Sequence, residues 1–400
     1  MNLKRFQPTP IPRADNVSDR VVRLSLLARF FDELLGGAPD VLMPTIRATL
    51  GLTYAQVSLL PLTLNYVGAI IEPINGILID IWPRRRLLAW GALGLGLALI
   101  TIGLAPTLLV LILAYAIYGL ASGPLAHTAD VILVETHPTA PDRIYARSTF
   151  IDTIGALLAP LLVVAVSWAE LPWQYLMYAL GLSAIVYAIF LWRTHFPSPP
   201  TTPTDQTDDR SGWQTIKDNI RFVLTHTGAR YWLFFLLLHS IQELPLTFMT
   251  IWLREEAGLS QALVGLYKAM EMGVALLSLT YLDRWRQTHS AQRVLQIAGL
   301  GVLILYPIWL FWPNIWGRFL WGIPLTFLLT VYWPIAKSQS LASVPGKGGT
   351  VTAVHSLFGF LPLALLFGLL AQTITLTTAM LLVHTLATLL LLALTLKLKT

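Results

Sequence analysis

Long apolar blocks alternate with short polar or basic links along this chain. A helix needs about 20 apolar residues to cross a hydrocarbon core of roughly 30 Å. Blocks of about that length fall at 22–46, 54–80, 86–104, 107–134, 144–168, 172–193, 230–253, 260–282, 289–311, 315–337, 349–373 and 376–396. Most are apolar all round rather than along one stripe, as helices facing lipid or other helices are. Strands with open edges and irregular chain are excluded from lipid by their unpaired backbone groups. The pattern therefore predicts an all-α polytopic membrane protein with twelve transmembrane helices.

One segment breaks the alternation. Pro197-Ser-Pro-Pro-Thr-Thr-Pro-Thr-Asp-Gln-Thr-Asp-Asp-Arg210 is polar and proline-rich and reads as a flexible linker. After it, Trp213, Ile216, Ile220 and Val223 recur near helical spacing, with Lys217 and Arg221 among them. Two readings stand for this stretch: a helix lying on the membrane face, and a solvated helix in the connecting loop. The expected division is an N-terminal arm and six-helix bundle at 1–195, a linker with an amphipathic helix at 196–228, and a six-helix bundle at 229–400. Residues 1–20 hold three prolines and no apolar core before a cleavage site, so no signal peptide is expected.

Composition agrees with the pattern. Hydrophobic residues make up 55% of the chain and charged residues 12%, against about 25% charged in soluble domains. No cysteine is present, which excludes disulfides and thiol chemistry. The net charge of +6 raises the question of nucleic acid. Placement answers it: 22 of the 27 Lys and Arg fall in links on the side of the two termini, and only Arg47, Arg254 and Arg318 on the other. Basic residues spread over short loops set topology and form no nucleic-acid groove. Both termini are expected in the cytoplasm, with the chain in a plasma (inner) membrane.

The link between the second and third blocks carries the most specific motif. It reads Gly76-Ile-Leu-Ile-Asp80-Ile-Trp-Pro83-Arg84-Arg85-Arg86. Gly-x-x-x-Asp followed by a basic cluster resembles the loop between helices two and three of the major facilitator superfamily. The resemblance implies that Gly76, Asp80, Arg84 and Arg85 latch one bundle against its neighbour. Ile81 stands where the family usually has arginine and Pro83 where it usually has glycine, so the latch is expected to differ in shape. The halves also repeat: Gly51-Leu-Thr-Tyr-Ala-Gln-Val57 matches Gly258-Leu-Ser-Gln-Ala-Leu-Val264, with Arg47 and Arg254 ahead at one spacing. Asp283-Arg284-Trp285-Arg286 is a reduced copy of the Asp80 loop. Two related six-helix bundles joined by a linker suit that family's architecture. Within it, Phe31-Asp32, Leu52-Thr53-Tyr54-Ala55-Gln56-Val57 and Glu72-Pro73 look most like the fosmidomycin-resistance exporters, which implies an anionic phosphonate drug as substrate.

Seven acids inside the apolar blocks are candidates for buried charge: Asp32, Glu33, Glu72, Asp130, Asp152, Glu243 and Glu271. Facing lipid they would cost on the order of 20 kcal/mol, at about 2.5–3.5 kcal/mol each. That rivals the whole stability of a domain, about 5–15 kcal/mol. They are therefore expected to line a wet interior, pair with bases or take up protons, and an acidic cavity suggests a cationic substrate, against the phosphonate that the resemblance implies. Arg29, Asp32, Glu33 and Gly36 share one face of the first helix. Asp32 and Glu33 are the expected proton-coupling residues, with Arg29 setting their proton affinity and Glu72 and Glu243 next in line. The bland alternative is that Arg29 pairs with one or two acids and the cluster only packs the first half.

His127, Asp130, Asp152, His239, Gln242, Lys268, Glu271 and His355 are the expected cavity residues. A Glu243–Lys268 contact is within reach, as is a Lys268–Glu271 pair internal to one helix. His355 is at cavity depth but has the ordinary reading of a hydrogen-bonded core histidine, and His384 reads as structural. Gly155-Ala-Leu-Leu-Ala159-Pro160 is similar to a drug–proton antiporter motif, yet close helix packing through small residues explains it as well. Tyr115, Tyr118, Trp321 and Trp333 suit either an apolar cavity wall or helix contacts.

No phosphate-binding Gly-x-x-x-x-Gly-Lys-Ser/Thr loop, Gly-x-Ser-x-Gly or His-Glu-x-x-His occurs. His127 and Asp130 alone are too few for a metal site. The sequence thus points to a monomeric, cofactor-free secondary transporter, not an enzyme. Its expected activity is proton-coupled export of a small molecule by alternating access. Uptake by proton symport is the alternative within transport, and an intramembrane enzyme acting on lipid or a non-transporting sensor the alternatives outside it.

Overall fold

The computed structural model describes residues 18–137, 141–196, 221–222, 225–343, 351, 354–355 and 357–397. The N-terminal arm and most of the proposed linker helix lie outside the described residues, as do the surroundings of Gly76 and the side chain of Asp80. All regular structure among the described residues is helical. In the first half the helices are α1 (Asp19–Leu50), α2 (Tyr54–Ile81), α3 (Arg84–Leu104), α4 (Leu108–Glu135), α5 (Pro141–Trp168) and α6 (Trp173–Trp192). The second half has α7 (Thr227–Thr247), α8 (Met249–Glu255), α9 (Gln261–Thr288), α10 (Ala291–Phe311), α11 (Ile315–Leu329), α12 (Tyr332–Ala342), α13 (Leu363–Thr373) and α14 (Leu376–Lys397).

Ten stretches among these are long and apolar enough to cross a membrane, with Leu363–Thr373 a shorter apolar helix. α1 supplies length but carries several charges: its 32 residues reach well past the expected 22–46. Three expected spans are broken. α7 gives way to α8 at Phe248, just after Pro245, which lacks a backbone N–H for the helix. α11 passes to α12 at Thr330 and Val331, and that span runs on to Ala342 rather than ending at 337. Among the described residues of span eleven, a 3-10 turn at Leu357–Phe360 precedes α13, with Pro362 at the joint. The overall result is the twelve-span, two-bundle layout.

The internal repeat has a structural counterpart. Gly51 and Gly258 both take left-handed backbone angles, φ 63° and 75°, which glycine adopts without a Cβ clash. Two residues on, Thr53 caps α2 through the Gln56 N–H in a full capping box, and Ser260 caps α9 through the Leu263 N–H. One short sequence thus makes the same sharp turn in each half.

α3 packs between α4 and α6, α1 against α4 and α5, and α2 against α4. In the second half α14 packs on α7 and α10, and α11 on α9 and α10. The halves meet through α5–α9, α2–α13 and α1–α8. These contacts gather at the end holding the Gly51 turn, remote from the chain termini. There Arg47 bonds Glu255 and stacks 4.3 Å over the Tyr54 ring. The Thr45 hydroxyl donates to Gln261 Oε1 at 2.9 Å, and Gln261 Nε2 to the Val41 carbonyl at 2.8 Å. Gly265 lets α9 approach α5: a Cβ there would sit 2.9 Å from the Pro160 carbonyl. Gly368 likewise brings α13 onto Tyr54 and Ser58 of α2. The bundles are sealed at this end.

A charged cavity between the two bundles

Two cavities follow from that one-sided seal. The larger, about 610 Å³, is lined from the first half by Arg29, Asp32, Glu72 and His127 and from the second by Glu243 and His355. The smaller, about 330 Å³, lies among α1, α4, α5 and α9, where Glu33, Asp40, Tyr115 and Lys268 face it. Asp32 and Tyr118 line both.

Arg29 is the hub of the first half. Its Nη2 lies 2.6 Å from Asp152 Oδ2 on α5, its Nε 3.3 Å from Asp130 Oδ1 on α4, and its Nη1 3.9 Å from Asp32 Oδ2. Arg29 is thus shared among three acids, with Asp32 the farthest of them. Its long side chain reaches across to the neighbouring helices, and Glu33, among the described residues, has no ion pair. Asp32 instead accepts a hydrogen bond from the Ser122 hydroxyl at 2.7 Å. The Ser148 hydroxyl donates to Asp130 at 3.4 Å. Gly155 lets α5 close on α1, since a Cβ there would meet the Phe30 carbonyl. That is the close-packing reading of the Gly155–Ala159 motif.

In the second half Glu243 pairs with His239, one turn back on α7, at 3.3 Å, and Lys268 with Glu271 at 2.7 Å. The suggested Glu243–Lys268 contact is absent: Glu243 faces the larger cavity and Lys268 the smaller. His239 and Gln242 are buried behind that wall. His239 Nδ1 lies 3.1 Å from Gln242 Oε1, and Gln242 Nε2 donates to the Thr388 hydroxyl at 2.7 Å. His384 is structural, with Nδ1 2.9 Å from the Gln242 carbonyl and its ring stacked 3.8 Å from that of Tyr306. His355 packs edge-on to Trp333, and Trp321 lies against Trp312.

Of the expected latch, Arg84 and Arg85 are described, while the side chain of Asp80 lies outside the described residues. Arg84 is buried and makes a two-pronged pair with Glu135 at the end of α4, 2.6 and 2.9 Å. Arg85 is half-exposed. Glu135, Asp40, Asn75 and Ser122 were not singled out from the sequence. Asp40 lies seven residues beyond Glu33, two turns along the same helical face, and that spacing was the available signal. Asn75 follows Glu72 by three. Nothing in the sequence marks Ser122 or Glu135.

Two six-helix bundles, sealed at one end around a charged cavity, define a secondary transporter that works by alternating access. The chain belongs to the major facilitator superfamily, whose family model matches residues 25–367. No curated protein matches it in sequence. Several solved structures share the fold. A bacterial homologue of the human lysosomal transporter Spinster, described as inward-facing and unoccupied, superposes with TM-score 0.72 at 15% identity, over 95% of this chain and 96% of that one. The nucleoside transporter NupG gives 0.74 at 15% identity, over 95% and 100%. A POT family transporter, in complex with a thioalcohol-conjugated peptide, gives 0.70 at 14%, over 94% and 95%. At these identities the likeness is one of fold.

Proposed function

We propose that this transporter couples proton movement to export of a small organic compound, with Asp32 as the proton-carrying group. One observation carries the reading. Arg29 spends its nearest contacts on Asp152 and Asp130, which leaves Asp32 with a neutral hydroxyl donor and a distant cation. A carboxyl so placed has no fixed counter-charge to keep it ionised through a transport cycle. It also borders both cavities, so one group meets the compartment on the open side and the space leading to the sealed side. Glu33, one residue on and unpaired, is the reserve site.

The bias of basic links supports a plasma membrane with both termini in the cytoplasm, in which the larger cavity faces inward. Both bundles lie on one chain, so a monomer is a sufficient unit. The test is proton flux in inside-out vesicles holding an imposed pH gradient. Adding a transported compound should dissipate the gradient with the native chain and not with Asp32→Asn. Dissipation that persists in Asp32→Asn, and in Glu33→Gln, would remove both from the coupling role.

A further inference from the structure

The larger cavity carries an excess of negative charge. Asp32, Glu72 and Glu243 reach it from α1, α2 and α7. Among the described residues, the one permanently cationic side chain lining it is Arg29, already held by Asp152 and Asp130. Lys337 lies within electrostatic range of Glu72 without lining the cavity. Even with Asp32 protonated, these two cations face four carboxylates, Glu72, Glu243, Asp130 and Asp152, which leaves a deficit of positive charge.

A second observation gives that deficit a location. Asn75, one turn from Glu72 on α2, is 1% exposed, and neither atom of its amide has a hydrogen-bond partner. A buried unpaired amide costs about 1–3 kcal/mol, so such a group is ordinarily satisfied by something. What separates it from the cavity is Gly123 of α4. A Cβ at Gly123 would lie 3.5 Å from Asn75 Nδ2 and 3.6 Å from the His127 ring, so the missing side chain leaves the amide facing the cavity wall.

Building on the transport reading, we infer that the substrate is a small organic cation bearing at least one N–H, a primary or secondary amine. Its charged end sits at Glu72, Asn75, Gly123 and His127. Glu72 supplies the charge and accepts an N–H, and the Asn75 amide, with Nδ2 its nearest atom, borders the opening at Gly123. The Tyr118 and Phe358 rings line the same cavity and suit the apolar remainder of such a molecule. An anion would meet three carboxylates and no free permanent cation. The inference thus departs from the phosphonate implied by the likeness to fosmidomycin-resistance exporters.

The experiment compares phenethylamine, its N,N,N-trimethyl derivative and phenylpropionate, by calorimetry and thermal shift on the purified full chain. Phenethylamine should bind and stabilise at millimolar concentration, and phenylpropionate should not. Loss of the N–H in the trimethyl form, or of the charge in Glu72→Gln, should each weaken binding about tenfold, the size of one charge-assisted hydrogen bond. Gly123→Ala should weaken the amine while leaving thermal stability intact, because its Cβ meets only ordinary contacts. Equal binding of the trimethyl form, tighter binding of the carboxylate, indifference to both variants, or no amine binding at all would overturn the inference. The transport reading is checked separately by a cysteine at buried Ser58. If it never becomes reactive from the sealed side, alternating access fails; if it does while the amine series fails, only the substrate class is wrong.

Discussion

Arg29 lies 2.6 Å from Asp152, 123 residues away on α5, yet 3.9 Å from Asp32, one turn along its own helix. The nearer partner fixes α1 to α5; the farther one is left to respond to the cavity. Asp152→Asn should release Arg29 toward Asp32 and loosen the α1–α5 contact. Breaking a fully buried pair costs about 3–5 kcal/mol, and this one is partly wet, so a loss of about 2 kcal/mol is expected. A fall in melting temperature together with lost gradient-driven flux is the outcome to measure. An unchanged melting temperature would show that the pair adds no net stability.

Arg84 and Glu135 give the second expectation. The guanidinium is buried and grips both carboxylate oxygens, a geometry that an ammonium cannot reproduce. Arg84→Lys should therefore destabilise the chain nearly as much as Arg84→Ala, by about 2–4 kcal/mol, as for one broken buried charge pair. Arg85→Lys, on a half-exposed residue, should change stability by less than about 0.5 kcal/mol. Thermal denaturation of the three variants decides it, and equal effects at both positions would make the cluster a topology signal only.

How much of this was legible in the sequence follows from what periodicity can and cannot encode. Span number, the paired turns at Gly51 and Gly258, and the shared face of Arg29 and Asp32 all come from spacing within one helix. Arg29's actual partners do not, because which of Asp32, Glu33, Asp130 and Asp152 it meets depends on how α1, α4 and α5 pack. The Arg84–Glu135 pair was hidden for the same reason, with an attractive acid, Asp80, much nearer in sequence. The breaks at Phe248 and Pro362 were signalled by their prolines, but hydropathy alone ran straight through them. Asp40 has a periodic signal, seven residues beyond Glu33, but the adjacent pair Asp32 and Glu33 outweighs it.

Closure of the end remote from the termini rests on few side chains. Arg47 is held by Glu255 and Tyr54, and Gln261 is tied to Thr45 and Val41. The Arg47–Glu255 pair is partly exposed, worth about 0–1 kcal/mol by the standard of surface pairs. Glu255→Gln should therefore leave the fold intact and shift the balance toward the state open at that end. Ser58→Cys, in a chain without native cysteine, reports the shift as faster labelling by a membrane-impermeant thiol reagent. Labelling no faster than in the Ser58→Cys parent would place the seal in the apolar contacts of Gly265 and Gly368 instead.

Lys268 sits where the two bundles must part. It bonds Glu271 of its own helix at 2.7 Å and faces Asp40 of α1 across the smaller cavity. The two partners differ in what motion does to them. Glu271 moves with Lys268, while Asp40 belongs to the other bundle and withdraws when α1 and α9 separate. Lys268 is thus pulled across the interface only in the sealed state, and Glu271 competes for it. Glu271→Gln removes the competitor and should hold the sealed state more tightly, slowing Ser58→Cys labelling. Asp40→Asn removes the cross-bundle attraction and should speed it. The double variant should fall between the two, because each substitution acts on one side of a single balance. If Glu271→Gln and Asp40→Asn shift labelling in the same direction, Lys268 is a local ion pair of α9 and takes no part in closure.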